Sequence, residues 1–166
     1  MGLSQIIAGF LSVMVLISII TYFGYTLFVS SDRYVLEAKN LERKLTISSN
    51  TKVRILDLTV TSSNNVLLEI GNDGNTKVVF DEKFDVIVDY INSDGERKIL
   101  KLNYGSPSNG WTVLNITRDY IDPGILNPHE VAFLSLNLSE DIGSGALTVV
   151  ICPEYGYPSQ IAIKVS

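Results

Sequence analysis

One histidine, one cysteine and a short acidic run are the residues here whose chemistry could go beyond packing. His129 stands in "NPHE", on a loop ahead of a strand-like segment, and Cys152 ends the segment "ALTVVIC". A nitrogen and sulfur metal site needs several such ligands to converge, and one imidazole with one thiol cannot supply them. A hydrolase-type serine would need its nucleophile elbow, and the chain contains no G-x-S-x-G. Cys152 is read as packing in a strand, and a lone thiol makes no internal disulfide. Asp81, Glu82, Asp85 and Asp89 bring oxygen ligands suited to a hard cation, yet "FDEKFD" lacks the glycine-turned loop of an EF-hand. They read as the solvated side of a strand. "GNDGN", Gly71 to Asn75, is followed by a strand and not by a helix, so it reads as a turn and not as a phosphate cradle. The expectation is a chain with no catalytic residue, no metal and no cofactor, which acts through its surfaces.

The element that positions those surfaces comes first in the chain. From Gly2 to Val29 there is no charged side chain, the first being Asp32 and the first basic one Arg33. As a helix this stretch is roughly 42 Å long, against a hydrocarbon core of about 30 Å. It lacks the basic n-region and small-residue cleavage site of a secretory signal, so it is expected to be a retained membrane anchor. Ser4, Ala8 and Ser12 recur at every fourth position and form a narrow face on which another helix could pack closely. Tyr22 and Tyr25 suit the membrane interface. Helical spacing continues through Tyr34, Ala38, Leu41 and Leu45, with charges off that stripe, which reads as a stalk that ends at Ser48-Ser49-Asn50. Residues 1–48 are therefore expected to form the anchor and stalk, and residues 49–166 the next domain.

Beyond Lys52 the period changes from helical to two. "KVRILDLTVT", "NVLLEIG", "KVVF", "FDVIVDYI", "RKILKLN", "WTVLNIT", "EVAFLSLNL", "ALTVVIC" and "SQIAIKV" are short, rich in Val, Ile and Leu, and separated by Gly, Asn, Asp, Ser or Pro. They predict an all-β, immunoglobulin-like antiparallel sandwich behind a single N-terminal transmembrane and stalk helix. One hairpin can be read in register. With Ser93-Asp94-Gly95 as a three-residue loop and Gly95 at the left-handed position, Asn92 faces Glu96, Tyr90 faces Lys98, Val88 faces Leu100 and Val86 faces Leu102. That face is apolar; the other, with Asp85, Ile87 and Asp89, is mixed and turned to solvent.

Thirteen Lys and Arg against eighteen Asp and Glu give a net charge of −5, with no basic stripe to draw a polyanion, so nucleic acid is not an expected partner. Two triplets, Asn115-Ile116-Thr117 and Asn137-Leu138-Ser139, have the form of N-glycosylation acceptors, and modification of either requires the sandwich to lie outside the cell. For an adhesive surface the aromatic "CPEYGYP" stands out, with Tyr155 and Tyr157 either side of Gly156. An exposed edge strand could join two copies as a homodimer.

Three stretches, "MGLSQIIAGFLSVMVLISIITYFGY", "LLEIGNDGNTKVVF" and "ILNPHEVAFLSLNL", together with the layout as a whole, carry a family likeness. The chain resembles the archaellum accessory proteins of archaea, FlaF more closely than FlaG. The resemblance implies a single-pass protein of the cytoplasmic membrane with its sandwich in the space beneath the surface layer. It also implies a non-enzymatic stator role, binding the surface-layer protein and a FlaG-like partner. A count of basic residues points the other way, since Arg33, Lys39, Arg43 and Lys44 all follow the apolar stretch and would leave the sandwich in the cytoplasm. The alternative is a pilin- or archaellin-like filament subunit assembled through its N-terminal helix. Such subunits carry a basic leader before the processing site, and only Met1 precedes Gly2 here.

Overall fold

Branched and aromatic apolar residues without a charge or a proline leave the first segment one low-energy choice in a bilayer, a helix that satisfies its own backbone. The computed structural model describes residues 2–165, apart from the side chains of Ser4 and Gln5. Its first element is α1, Gly2–Asn50. Among the described residues it is the one helix long and apolar enough to cross a membrane, with a mean hydropathy of 2.4 over its best stretch. Several hydroxyls inside it are satisfied within the helix. Ser12, Ser18, Thr21 and Ser30 each donate to the carbonyl four residues back, at 2.8–2.9 Å. This removes the cost of burying those groups in hydrocarbon.

The chain divides into two compact units, Met1–Lys44 and Leu45–Ser166. In the second, the described residues form ten strands after the last helical turns: β1 Val53–Ser62, β2 Asn65–Asn72, β3 Val78–Val79, β4 Asp85–Ile91, β5 Arg97–Tyr104, β6 Gly110–Ile116, β7 Ile125–Leu126, β8 Val131–Asn137, β9 Gly145–Cys152 and β10 Ser159–Val165. One layer runs β1-β2-β8-β6 and the other β5-β4-β9-β10, while β3 and β7 form a separate two-stranded sheet. All nine segments with period-two patterning are strands. The tenth, β7, has two residues and no periodicity to betray it. Almost every pairing is antiparallel. The exception is local: Asn103 pairs with Gly110 and Tyr104 with Trp111 in parallel, where the chain leaves one layer and enters the other.

Alternation decides the core. Val86, Val88 and Tyr90 of β4, Leu147, Val149 and Ile151 of β9, Val66, Leu68 and Ile70 of β2, and Ala132, Leu134 and Leu136 of β8 all point inward and are buried. Each such Leu, Ile or Val contributes about 1.5–3 kcal/mol relative to an exposed position. The hairpin has the register its turn demands. Val86, Val88 and Tyr90 face Leu102, Leu100 and Lys98, Asn92 N–H donates to Glu96 at 2.9 Å, and Gly95 has φ +82°. On the side where the outer strands β1 and β10 approach each other, Ile55 N–H donates to Ser159 Oγ at 3.3 Å, which shields part of two open edges.

Tyr90 is the odd member of the core. It is fully buried, and its hydroxyl has no hydrogen-bond partner among the described residues. Burial raises its pKa above the ordinary phenol value; the nearby Glu140 charge adds to the shift and Lys98 opposes it. A raised folded pKa means that the stability tied to the neutral phenol is complete below the unfolded value of about 10 and is lost as pH rises through the folded value. Tyr90→Phe is therefore expected to gain up to about 1 kcal/mol near neutrality by removing an orphaned hydroxyl. It should also flatten the loss of stability above about pH 10, measured by denaturant unfolding across pH.

Candidate interaction surface

The residues with the greatest chemical potential are dispersed by the fold. His129 is exposed on the turn before β8, with φ +66° and its backbone N–H donating to Asn72 O at 2.8 Å. Its setting is structural. Asn127 and Glu130 are buried beside it, and Glu130 Oε2 accepts from Asn127 N–H at 2.8 Å and from Asn127 Nδ2 at 3.1 Å. The acidic run does not converge either. Asp81 Oδ1 accepts from Lys83 N–H at 2.9 Å, Asp85 pairs with Lys101 at 2.7 Å, and Asp89 takes both Nε and Nη2 of Arg97, at 2.9 and 2.6 Å. The hydrogen bonds from Arg97 hold the Asp89 carboxyl below the usual carboxylate range. Among the described residues no group of three or more His, Cys, Asp or Glu side chains is placed to hold a metal ion. Cys152 is half-buried at the end of β9.

The turn "GNDGN" has a role that the sequence reading missed. Asn75 N–H donates to Asn50 O and Asp73 N–H to Lys52 O, both at 2.8 Å, so the turn caps the last helical residue and steers the chain into β1. Gly74 is required there. A Cβ on it would collide with Asn50 O and approach Lys52 N to 2.6 Å.

Close to this turn the structure builds a surface. Ile47, Thr51, Val78, Val79, Pro153 and Tyr155 line a cleft of about 110 Å³. Gly156 lets the Tyr155–Tyr157 turn lie on Thr51, since a Cβ there would meet Pro153 and come within 3.1 Å of Thr51. Tyr155 is tied into a polar chain. Lys83 Nζ lies 2.9 Å from Glu154 Oε1, and this hydrogen bond raises the Lys83 pKa and lowers that of Glu154. The hydrogen bond to Glu154 in turn raises the Tyr155 phenol. Tyr157 is left 67% exposed and Val79 54%. Val79 pairs with Ile125, and Lys77 bonds to Asp122, which brings in the loop before β7. That loop shows Tyr120, 88% exposed, and Ile121. Tyr155 and Tyr157 were legible as candidates from sequence. Tyr120 and Ile121 were not, although "RDYIDPG" sets two large apolar residues between turn formers, which is itself a signal.

Other sequence candidates fall elsewhere. Asn115 is exposed on β6, and Asn137 is half-buried at the end of β8. Ala8 and Ser12 are exposed along α1, while the side chain of Ser4 lies outside the described residues.

The described residues form a long apolar helix and a two-layer sandwich. Among the solved structures that resemble the chain are two archaellum stator structures, alike over about two thirds of it, and one flagellum structure, alike over nearly all of it. The FlaG archaellum periplasmic stator protein of Sulfolobus acidocaldarius is 25% identical, covers 68% of this chain and 99% of its own, and superposes with a TM-score of 0.51. A chain of the FlaF and FlaG archaellum periplasmic stator complex of the same organism is 24% identical over 68% of this chain and 89% of its own, with a TM-score of 0.53. The archaeal flagellum of Methanospirillum hungatei is 10% identical over 96% of this chain and 93% of its own, with a TM-score of 0.61. No family model matches the sequence, and no curated protein matches it.

Proposed function

We propose that this chain is a membrane-anchored, extracytoplasmic stator component of the archaeal motility machinery and has no enzymatic activity. In this reading the apolar helix holds it as a single-pass protein of the cytoplasmic membrane, with the sandwich beneath the surface layer. The sandwich binds the surface-layer protein and a FlaG-like partner, and so holds the motor against the envelope. The observation that carries the reading is the likeness to the FlaG stator protein, 25% identical over 68% of this chain and 99% of the other. A solved complex of FlaF with FlaG supports a partner of the FlaG type. A stator needs grip and adhesion and no reactive centre, which suits a chain whose polar groups serve turns and surface ion pairs. We place the adhesive contact at Val79, Tyr120, Ile121, Tyr155 and Tyr157, because exposed aromatic residues are the usual anchors of such interfaces. Joining of two copies through an edge strand belongs to the same reading. Deletion in the native host is expected to abolish swimming while surface pili persist, and the tagged chain is expected to recover surface-layer protein and a FlaG-like protein. Unchanged motility refutes the role. The filament reading instead requires the chain in sheared filaments; the 10% identical flagellum structure shares the fold alone.

The face marked by Ser4, Ala8 and Ser12 is proposed to seat a neighbouring helix, since small residues let backbones approach in lipid. Ala8→Leu is expected to lower recovery of the FlaG-like partner from detergent extracts several-fold, at an unchanged level of the chain itself. Equal recovery would remove the face from the account.

A further inference from the structure

We propose that Asn115 carries an N-linked oligosaccharide and that its first sugar covers the Phe133 ring and Leu114 on the outer face of the β1-β2-β8-β6 layer. The inference rests on the extracytoplasmic placement proposed above. Two triplets have the acceptor pattern, and the fold treats them differently. Asn115 is exposed at the bulge in β6, where the register shifts between Val113 and Asn115. The far edge of β6 is open there, because β5 meets it only at Gly110 and Trp111. Asn137 is half-buried in an interior strand, with Asn65 on one side and Gly110 on the other, and the N–H of Ser139 is held by Asn109 Oδ1 at 2.9 Å. A branched sugar at Asn137 has to displace the strand-end loops around it. One at Asn115 extends from an open edge.

The neighbours of Asn115 suit a sugar. Directly across the strand is Phe133, half-buried and pointing outward between the fully buried Ala132 and Leu134. On β2, Glu69 lies directly across from Phe133 and Leu67 diagonally beyond it, and Leu114, in the bulge, is 60% exposed. Cross-strand Cβ atoms are about 5 Å apart, within reach of the first ring of an attached sugar. The C–H face of a pyranose matches the negative face of the Phe133 ring and removes apolar area from water. In the folded chain Thr117 Oγ1 accepts from Val131 N–H at 3.1 Å and donates to Val131 O at 3.2 Å, so transfer belongs to the chain before β6 closes on β8. In that step the Asn115 side-chain nitrogen attacks the anomeric carbon of a polyprenyl-phosphate-linked oligosaccharide. The N–C bond forms as the sugar–phosphate C–O bond breaks. The amide loses one proton to solvent, the lipid phosphate leaves with the electron pair, and nothing is oxidised or reduced.

The test uses the full chain from membranes of the native host, with intact-mass measurement and protease access to the sandwich in surface-layer-stripped cells. The expected result is an accessible sandwich, a mass above that of the polypeptide, return to the polypeptide mass in Asn115→Gln, and no change in Asn137→Gln. An accessible sandwich at polypeptide mass, or added mass that survives Asn115→Gln, overturns this inference and leaves the stator reading standing. A protected sandwich overturns the extracytoplasmic placement and this inference with it. For the ring contact, Phe133→Ala is expected to lower Tm by about 3 °C more in the glycosylated chain than in the Asn115→Gln background. Equal losses refute the contact.

Discussion

Trp111→Ala is expected to cost about 3–5 kcal/mol, more than any other single truncation in the sandwich. Trp111 is 1% exposed and sits at the centre of an aromatic cluster, with ring centroids of Tyr104 at 4.8 Å, Phe84 at 5.3 Å and Phe80 at 6.0 Å. Edge-on and tilted packing of this kind adds about 0.5–1.5 kcal/mol per pair to the area term. Its position matters as much as its size. Trp111 lies where β5 and β6 pair in parallel, and its carbonyl accepts the Gly105 N–H at 2.9 Å. Few backbone bonds hold the two layers together on this side, so the cluster supplies much of the closure. Trp111→Phe keeps one ring in the cluster and is expected to lose about 1–2 kcal/mol. The measurement is guanidinium unfolding of the full chain in detergent, followed by circular dichroism, because Trp111 is the only tryptophan and its fluorescence disappears with it. A loss below about 1 kcal/mol for the alanine variant would mean that the cluster does not close the layers.

What could be read from the sequence divides along a physical line. The 85–102 hairpin was legible to the residue because its rule is local: a three-residue loop with a left-handed glycine fixes the register, and the register fixes the faces. The apolar helix and the period-two strands were legible for the same reason. The parallel contact of Asn103 and Tyr104 with Gly110 and Trp111 was not, because it reflects where the chain changes layer, a non-local choice. β7 was hidden because two residues carry no period. Of the surface, Tyr155 and Tyr157 were visible as an aromatic turn. Their grouping with Val79, and through β7 with the loop of Tyr120 and Ile121, depends on the two-stranded β3–β7 sheet that the sequence does not announce. "GNDGN" was rightly a turn, and its caps on Asn50 and Lys52 were out of reach because the partners lie more than twenty residues away in the chain.

That turn also carries the second large expected effect. Asn72 is 1% exposed and serves three segments with one side chain. Its Nδ2 donates to Thr76 O at 2.7 Å and to Leu126 O at 3.1 Å, and its Oδ1 accepts the Gly74 N–H at 3.0 Å. Asn72→Leu keeps the volume and removes the side-chain bonds to the buried Gly74 N–H and Leu126 carbonyl, at about 1–3 kcal/mol each. The expected total is about 3 kcal/mol. Volume alone does not explain such a loss, and Asn72→Asp separates the causes. An introduced carboxylate keeps the acceptor for Gly74 but turns negative oxygen toward two carbonyls in a buried site, so its folded pKa is raised. With a raised folded pKa, the stability is greatest at low pH and is lost as pH rises above the unfolded value of about 3.9. Asn72→Asp is therefore expected to be less stable than Asn72→Leu at pH 7 and to recover relative to it toward pH 4, as a protonated carboxyl donates one of the two missing bonds. Denaturant midpoints at the two pH values decide the matter: parallel behaviour of the two variants would mean that Asn72 acts by filling space and not by joining β2, the turn and β7.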